Sequence, residues 1–341
     1  MKKSYLGLFV LALVLAGAAV VAAQGDILIN GAGATFPYPI YSKWFDTYKQ
    51  KHSNVQINYQ SIGSGGGIRQ VIAGTVDFGA SDVTMKDEQV SQVKTGVLHF
   101  PTVLGSVVLT YNIPGVSSEL NFSQAALAGI YLGKITKWND AEIVKNNSGV
   151  KLPADDIVVV HRSDGSGTTF IFVDFLSKVS KEWETKVGRD ASVNWPVGLG
   201  GKGNEGVSGL VKQTPNSIGY VELIYALQNK MPYGKVQNKD GQFVKPDLVS
   251  TTAAAAGAAK TMPEDFRVSI TDAPGKTAYP IASFTWLLIP TTISDATKRD
   301  TLKEFLKWML ADGQTFAESL GYAPLPKEVV SAEVKAISKI K

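Results

Sequence analysis

The sequence predicts an α/β fold, and three observations carry that expectation. Apolar runs of strand length alternate with stretches of helical periodicity along the chain. Turns rich in glycine, serine and threonine recur where a strand hands over to a helix. The 341 residues include no cysteine, so a hydrophobic core and not a disulfide framework must hold the fold.

Lys2 and Lys3 open the chain, an apolar stretch runs from Leu6 to Val21, and the small residues Val21, Ala22 and Ala23 close it. This is the pattern of a cleaved secretory leader over residues 1–23, with the mature chain starting at Gln24. The competing reading is an uncleaved anchor, because Tyr5–Ala23 is just long enough to span a bilayer. No later segment has that length; Phe284–Pro290 is far too short.

Asp26–Asn30 and Val55–Tyr59 read as strands around a helix at Tyr38–Lys51. Val71 and Ile72 belong to a second helix, which Gly63–Gly67 precede. Val76–Ala80 is strand-like, Val103–Ile113 is a long β-branched run and Ile157–His161 a short one. Phe172, Phe175 and Leu176 share one face of a helix over Phe170–Val179. Leu302, Phe305, Leu306, Met309 and Leu310 mark an amphipathic helix. Alanine-rich Thr251–Ala259 is expected as a surface helix, Gly234–Pro246 as a surface hairpin, and the lysine-bearing tail after Pro326 as a solvated helix.

Charge narrows the function. Thirty-four basic residues face 30 acidic ones, a net +4. Removing the leader takes away two lysines and no acid, which leaves 32 against 30, or +2. That balance excludes a nucleic-acid binder held by phosphate neutralisation. Without cysteine there is also no thiolate metal site and no lipid-modified N-terminal cysteine.

Three segments share one design: small residues in a turn, then a hydroxyl, then a helical pattern. They are Gly31–Phe36, Gly63–Gly67 and Asp164–Thr169. Glycine lets backbone approach a ligand, and a helix start offers unpaired N–H groups and the positive end of its dipole. Thr35, Ser64, Ser166 and Thr168 add hydroxyl donors. One such turn is weak evidence, since serine and threonine before helices usually act as N-caps. Three in one chain, with Arg162 beside the third, point to an anion site.

Enzyme signatures are missing. Gly275-Lys276-Thr277 has Ile270 where a phosphate-binding loop needs glycine, and neither Ser64 nor Ser166 sits in a nucleophile elbow. His52, His99 and His161 are scattered. His161 could reach the site beside Arg162, although a histidine at a strand end is more often a solvated neighbour. Nothing assembles a nucleophile, a base and an orienting group, and no cofactor or metal is called for.

Ser81-Asp82 follows the strand-like Val76–Ala80. Asp82 could simply cap the helix that follows, although Thr84 with Asp87 makes a better capping box. If Asp82 instead faces the anion site, its carboxylate can only accept hydrogen bonds, so the ligand must carry a proton. Phosphate does so near neutral pH and sulfate does not.

These residues carry a family resemblance. Gly31–Pro37, Thr75–Asp82, Arg162–Thr168, Ile130–Ile135, Trp138–Asp140, Gly198–Asn204 and Ile218–Glu222 resemble the corresponding segments of periplasmic phosphate-binding proteins of ABC-type phosphate transporters. The likeness runs in order over essentially the whole mature chain. It implies a periplasmic receptor that delivers inorganic phosphate to an inner-membrane ABC permease, with a monomer expected. It implies that Thr35 and Phe36 hold phosphate oxygens, that Ser64 donates its hydroxyl and amide, and that Asp82 accepts the phosphate proton. Arg162 would pair with the anion while Asp164 holds its guanidinium, and Ser166, Gly167 and Thr168 would complete the cage. His161 stands where a second arginine is common, and Gly65 replaces a common serine. The resemblance also implies a Venus-flytrap arrangement of two α/β lobes joined by crossings at Thr102–Leu109 and Pro280–Leu287. Residues 24–103 and 283–341 would form a discontinuous first lobe and 104–282 the second. A receptor for sulfate or molybdate is the runner-up, and a secreted phosphatase the rival from another class.

Overall fold

The computed structural model describes residues 25–341, so the leader expected over residues 1–23 lies outside the described residues. The strands are β1 (Ile27–Gly33), β2 (Val55–Ser61), β3 (Phe78–Ser81), β4 (Val97–Asn112), β5 (Asn121–Phe122), β6 (Val158–Arg162), β7 (Leu199–Gly201), β8 (Ser217–Glu222), β9 (Lys235–Gln237), β10 (Phe243–Val244) and β11 (Ala282–Pro290). The helices are α1 (Tyr38–Lys51), α2 (Ser64–Ala73), α3 (Asp87–Gln92), α4 (Gln124–Tyr131), α5 (Ala141–Val144), α6 (Gly167–Val179), α7 (Lys181–Lys186), α8 (Gly203–Gln213), α9 (Leu223–Gln228), α10 (Leu248–Lys260), α11 (Ala296–Leu310) and α12 (Lys327–Ala336).

Eight strands form one sheet in the order β2-β1-β3-β11-β4-β8-β6-β7. At one end β1 runs parallel to β2 and β3, and at the other β6 runs parallel to β7 and β8. Strand β4 joins these ends. Its first part, Val97–Ser106, pairs with β11, and its second part, Val107–Asn112, pairs with β8. One unbroken apolar strand thus serves two half-sheets, each covered by its own helices, and the α/β protein is two-lobed. Both faces of β4 are covered from His99 to Tyr111, which explains why its sequence is near-continuously apolar instead of alternating. β11 has a register shift between Thr285 and Trp286, the kind of irregularity that re-aims side chains.

Each half has its own aromatic core. In the first, Phe45 and Tyr48 of α1 meet Phe305 of α11, and Trp44 donates its indole N–H to the Gly313 carbonyl at 2.7 Å. In the second, Phe172 of α6 stacks on Tyr220 of β8 and meets Tyr131 of α4 edge-on. Burying each such ring contributes about 1.5–3 kcal/mol, and Trp44→Ala would cost about 3–5 kcal/mol through the cavity it leaves.

Three local expectations change. The glycines Gly65–Gly67 lie inside the first turn of α2, not before it, because Gly66 and Gly67 are buried where the helix end packs on β1 and β3. That packing outweighs a helix cost of about 1 kcal/mol per glycine. Helix α10 is only half on the surface: Thr251, Ala254 and Ala255 face the core, and Thr251 shares a 2.7 Å hydrogen bond with Ser106. The tail forms α12 but is not simply solvated, since Val329, Glu333 and Ala336 make a buried stripe. The expected hairpin is present as antiparallel β9 and β10.

Candidate anion-binding site

The connections leaving β1, β3 and β6 converge where the lobes meet. Thr35 and Phe36 follow β1 and lead into α1, and Ser64 opens α2. Asp82 follows β3. Arg162 ends β6, and Ser166 caps α6. All are buried to within a few per cent, and so is Thr168. Contacts across the cleft, among them Gly65 N–H to the Gly165 carbonyl and Asn204 Nδ2 to Thr35 Oγ1, bring the two sides together.

Ser64 and Asp82 form one side. The Asp82 backbone N–H donates to Ser64 Oγ at 3.1 Å, and the Ser64 hydroxyl faces Asp82 Oδ2 at 3.3 Å. Thr285 donates to Asp82 Oδ1 at 2.7 Å. Burial pushes the Asp82 carboxyl up from 3.8 to about 7, against the opposing pull of Thr285, the Arg162 charge and Ser64. Asp82 caps no helix, because α3 starts only at Asp87. Thr84 does not cap it either: Lys86 takes the cap position, and its backbone N–H donates to Gln89 Oε1 at 2.9 Å.

The facing side is built on Arg162. Its Nε and Nη2 donate to the two carboxylate oxygens of Asp164 at 2.8 and 2.6 Å, a planar fork with almost no access to water. Nη1 donates to Thr168 Oγ1 at 3.2 Å. Three of the five guanidinium N–H groups are thereby used and the others remain for an anion. Burial raises the Asp164 carboxyl, but the Arg162 bonds and charge outweigh it and hold the group below its ordinary value. Ser166 does act as an N-cap, accepting from the Thr169 N–H at 3.0 Å, while its own N–H goes to the Ala191 carbonyl. The N–H groups of Gly167 and Thr168, in the first turn of α6, have no acceptor within the helix.

The two sides touch closely. A Cβ on Gly167 would stand 2.5 Å from Ser64 Oγ and 2.6 Å from Asp82 Oδ2, and one on Gly63 would stand 2.3 Å from Asp164 Oδ2. Gly65 donates its N–H to the Gly165 carbonyl at 2.9 Å. Phe36 is fully buried, and its carbonyl accepts from the Tyr322 hydroxyl at 2.6 Å. The cleft is closed.

His161 does not enter the site; it stacks on Trp195 with ring centres 4.8 Å apart, and its Nδ1 lies 3.0 Å from the Arg162 carbonyl. Four partners escaped sequence reasoning. Thr285 holds Asp82. Tyr220 accepts the Arg162 backbone N–H at 3.0 Å, Tyr225 donates to the Thr35 carbonyl at 2.6 Å, and Asn204 contacts both Thr35 and Thr168. Asn204 and Tyr220 lie in segments that carry the family resemblance, but nothing local marks them as site residues.

A two-lobed α/β protein that closes a buried cleft lined by helix starts, hydroxyls and a guanidinium belongs to the class of solute-binding proteins. The model of the PBP superfamily domain matches residues 18–313. The chain is 48% identical over 306 residues to the phosphate-binding protein PstS of Xylella fastidiosa, covering 89% of this chain and 83% of that one. It is 41% identical over 339 residues to PstS of Methanocaldococcus jannaschii, covering 92% and 87%. The chain belongs to the PstS family of phosphate-binding proteins. The fold is also that of a high-affinity periplasmic phosphate-binding protein solved with bound phosphate, at a TM-score of 0.71 and 21% identity over 91% of this chain and 93% of that one.

Proposed function

We propose that this protein captures inorganic phosphate between its lobes and delivers it to an ABC-type importer in the inner membrane. One observation carries the reading: a buried carboxyl, Asp82, stands at a cleft whose other carboxyl, Asp164, is already taken up by Arg162 and whose remaining groups can donate. A tetrahedral anion bearing one proton satisfies both kinds of group. The relatives' names support the same ligand.

In this reading the N–H groups at Thr35 and Phe36, the Ser64 hydroxyl and amide, and the Ser166, Gly167 and Thr168 helix start donate to phosphate oxygens. Arg162 pairs with the charge, Asp164 keeps its fork in place, and Asp82 accepts the phosphate proton. Residues 24–103 and 283–341 move as one lobe and 104–282 as the other. The protein works as a monomer in the periplasm after loss of residues 1–23; among the described residues no helix is long and apolar enough to cross a membrane. It binds without turning its ligand over. A micromolar complex needs about 8 kcal/mol, and several hydrogen bonds to a charged ligand at about 1.5–3 kcal/mol each exceed that before ordering costs.

Calorimetry of the mature protein with phosphate, sulfate and molybdate tests the ligand. Phosphate alone should bind tightly, and solution scattering should show a smaller radius of gyration when it does. Tight binding of sulfate or molybdate in place of phosphate would overturn the reading. Sustained release of nitrophenol from nitrophenyl phosphate by pure protein would make it a phosphatase instead.

A further inference from the structure

Asn204, at the start of α8, is fully buried and contacts the site from outside the predicted set. Which way its amide faces is fixed by chemistry. The Glu222 backbone N–H, which can only donate, lies 2.9 Å from one amide atom, so that atom is the oxygen Oδ1. The nitrogen Nδ2 must then face the other way, where it lies 2.7 Å from Thr35 Oγ1 and 3.2 Å from Thr168 Oγ1. An amide nitrogen carries two hydrogens, one for each threonine.

The consequence falls on the hydroxyls. A hydroxyl has one hydrogen to give and two lone pairs to receive with. Thr35 Oγ1 accepts from Asn204 Nδ2 and, at 3.3 Å, from the Asn204 backbone N–H. Thr168 Oγ1 accepts from Asn204 Nδ2 and from Arg162 Nη1. In each case both lone pairs are engaged. The remaining O–H of each threonine finds no protein acceptor among the described residues, although both side chains are almost wholly buried.

We propose that Asn204 is a positioning residue that locks the Thr35 and Thr168 hydroxyls as donors toward the bound anion. The proposal rests on the phosphate-binding reading and deepens it. With both hydroxyls held as donors, neither can receive a proton from the ligand, and the ligand's one proton is directed to Asp82. Because Thr35 precedes α1 and Thr168 lies on α6, the lock is assembled only when the lobes close. Asn204 therefore joins closure to the choice of protonation state.

The test measures phosphate binding by calorimetry in buffers acid and alkaline of the second ionisation of phosphate. It uses the parent, Asn204→Ala, and Asn204→Ser, which is too short to reach both threonines and guards against one variant failing to fold. Freed hydroxyls can turn to accept, so the variants should tolerate a second ligand proton. Their affinity should fall about ten- to a hundredfold in alkaline buffer, and that deficit should narrow clearly in acid buffer. In a Thr35→Val, Thr168→Val background the Asn204 substitutions should then have little further effect. An equal deficit at both pH values would reduce Asn204 to a brace between the lobes and overturn the proposal. So would a deficit that persists undiminished in the valine background. A parent that binds no phosphate in either buffer would instead overturn the phosphate reading itself.

Discussion

Selectivity should depend on Asp82, and Asp82→Asn isolates its part. The side chain is 2% exposed, and Thr285 donates to one of its oxygens at 2.7 Å, so little solvent can screen it from a ligand. Phosphate brings the proton that this carboxylate accepts. Sulfate brings none, and sealing it in the cleft forces Asp82 to take a proton from solvent or face an unprotonated oxygen of like charge. Sites built around one such hydrogen bond reject an analogue lacking it by about 10⁴-fold or more. The sign of the pH dependence follows. In an open, hydrated cleft an aspartate is ionised above its ordinary value of 3.8, whereas burial in the closed cleft raises it to about 7. Sulfate binding therefore carries a proton uptake, and its affinity should fall by up to about tenfold per pH unit as pH rises through that window. Asparagine offers an amide that donates, so in Asp82→Asn the slope should vanish and sulfate should bind far better. Phosphate should weaken only modestly, because its hydroxyl can meet the amide oxygen. Competition of sulfate against labelled phosphate, in parent and variant at two pH values, reads both effects. An unchanged phosphate-to-sulfate ratio in a folded variant would refute the reasoning.

Three further outcomes are expected. Arg162→Ala should weaken phosphate binding by at least about 2–5 kcal/mol, because it also strands the half-buried Asp164 carboxylate; adding Asp164→Ala should raise the melting temperature above that of the single variant. Gly167→Ala places a methyl group 2.5 Å from Ser64 Oγ and 2.6 Å from Asp82, so scattering at saturating phosphate should show a radius that stays near the open value. Glu333 is fully buried with both carboxyl oxygens unpartnered among the described residues, and burial raises its pKa well above 4.5. Its stability contribution is complete below the unfolded value and is lost progressively as pH rises toward the folded one. Glu333→Met should therefore flatten the decline in urea midpoint with rising pH, and an equal decline in both proteins would show that Glu333 is not the group responsible.

The parts of the fold that were legible in the sequence are those fixed by local pattern. Helix Tyr38–Lys51 carries its aromatic stripe from Tyr38 to Tyr48, one turn short of its end, and the buried strand β4 announces itself as a long β-branched run, although its pairing extends back to Val97. The candidate site was legible for a related reason. Hydroxyls and glycines at helix starts carry a chemical meaning that survives without knowing the fold, and the structure gathers Thr35, Phe36, Ser64, Asp82, Arg162, Ser166, Gly167 and Thr168 at one cleft. The tail misled because its lysines dominate the pattern, while the stripe of Val329, Glu333 and Ala336 that faces inward includes a carboxylate where an apolar residue is expected.

What stayed hidden is what depends on pairing across the chain. Asp82 could cap a helix or face a ligand on local evidence alone. The structure excludes the cap, because α3 starts five residues later and Asp82 instead receives a hydrogen bond from Thr285, 203 residues away. Asn204 lies 169 residues from Thr35 and 36 from Thr168, so no spacing links the three. Even the residue types leave a gap that only coordinates close. A threonine hydroxyl can donate or accept, and its composition does not say which. Here the direction is inherited from a backbone: the Glu222 N–H at the end of β8 turns the Asn204 amide, the amide fills the lone pairs of two threonines, and their hydrogens are left for the cleft. The donor character of the site is thus set from the end of β8, through one side chain that bridges to Thr35 of the other lobe.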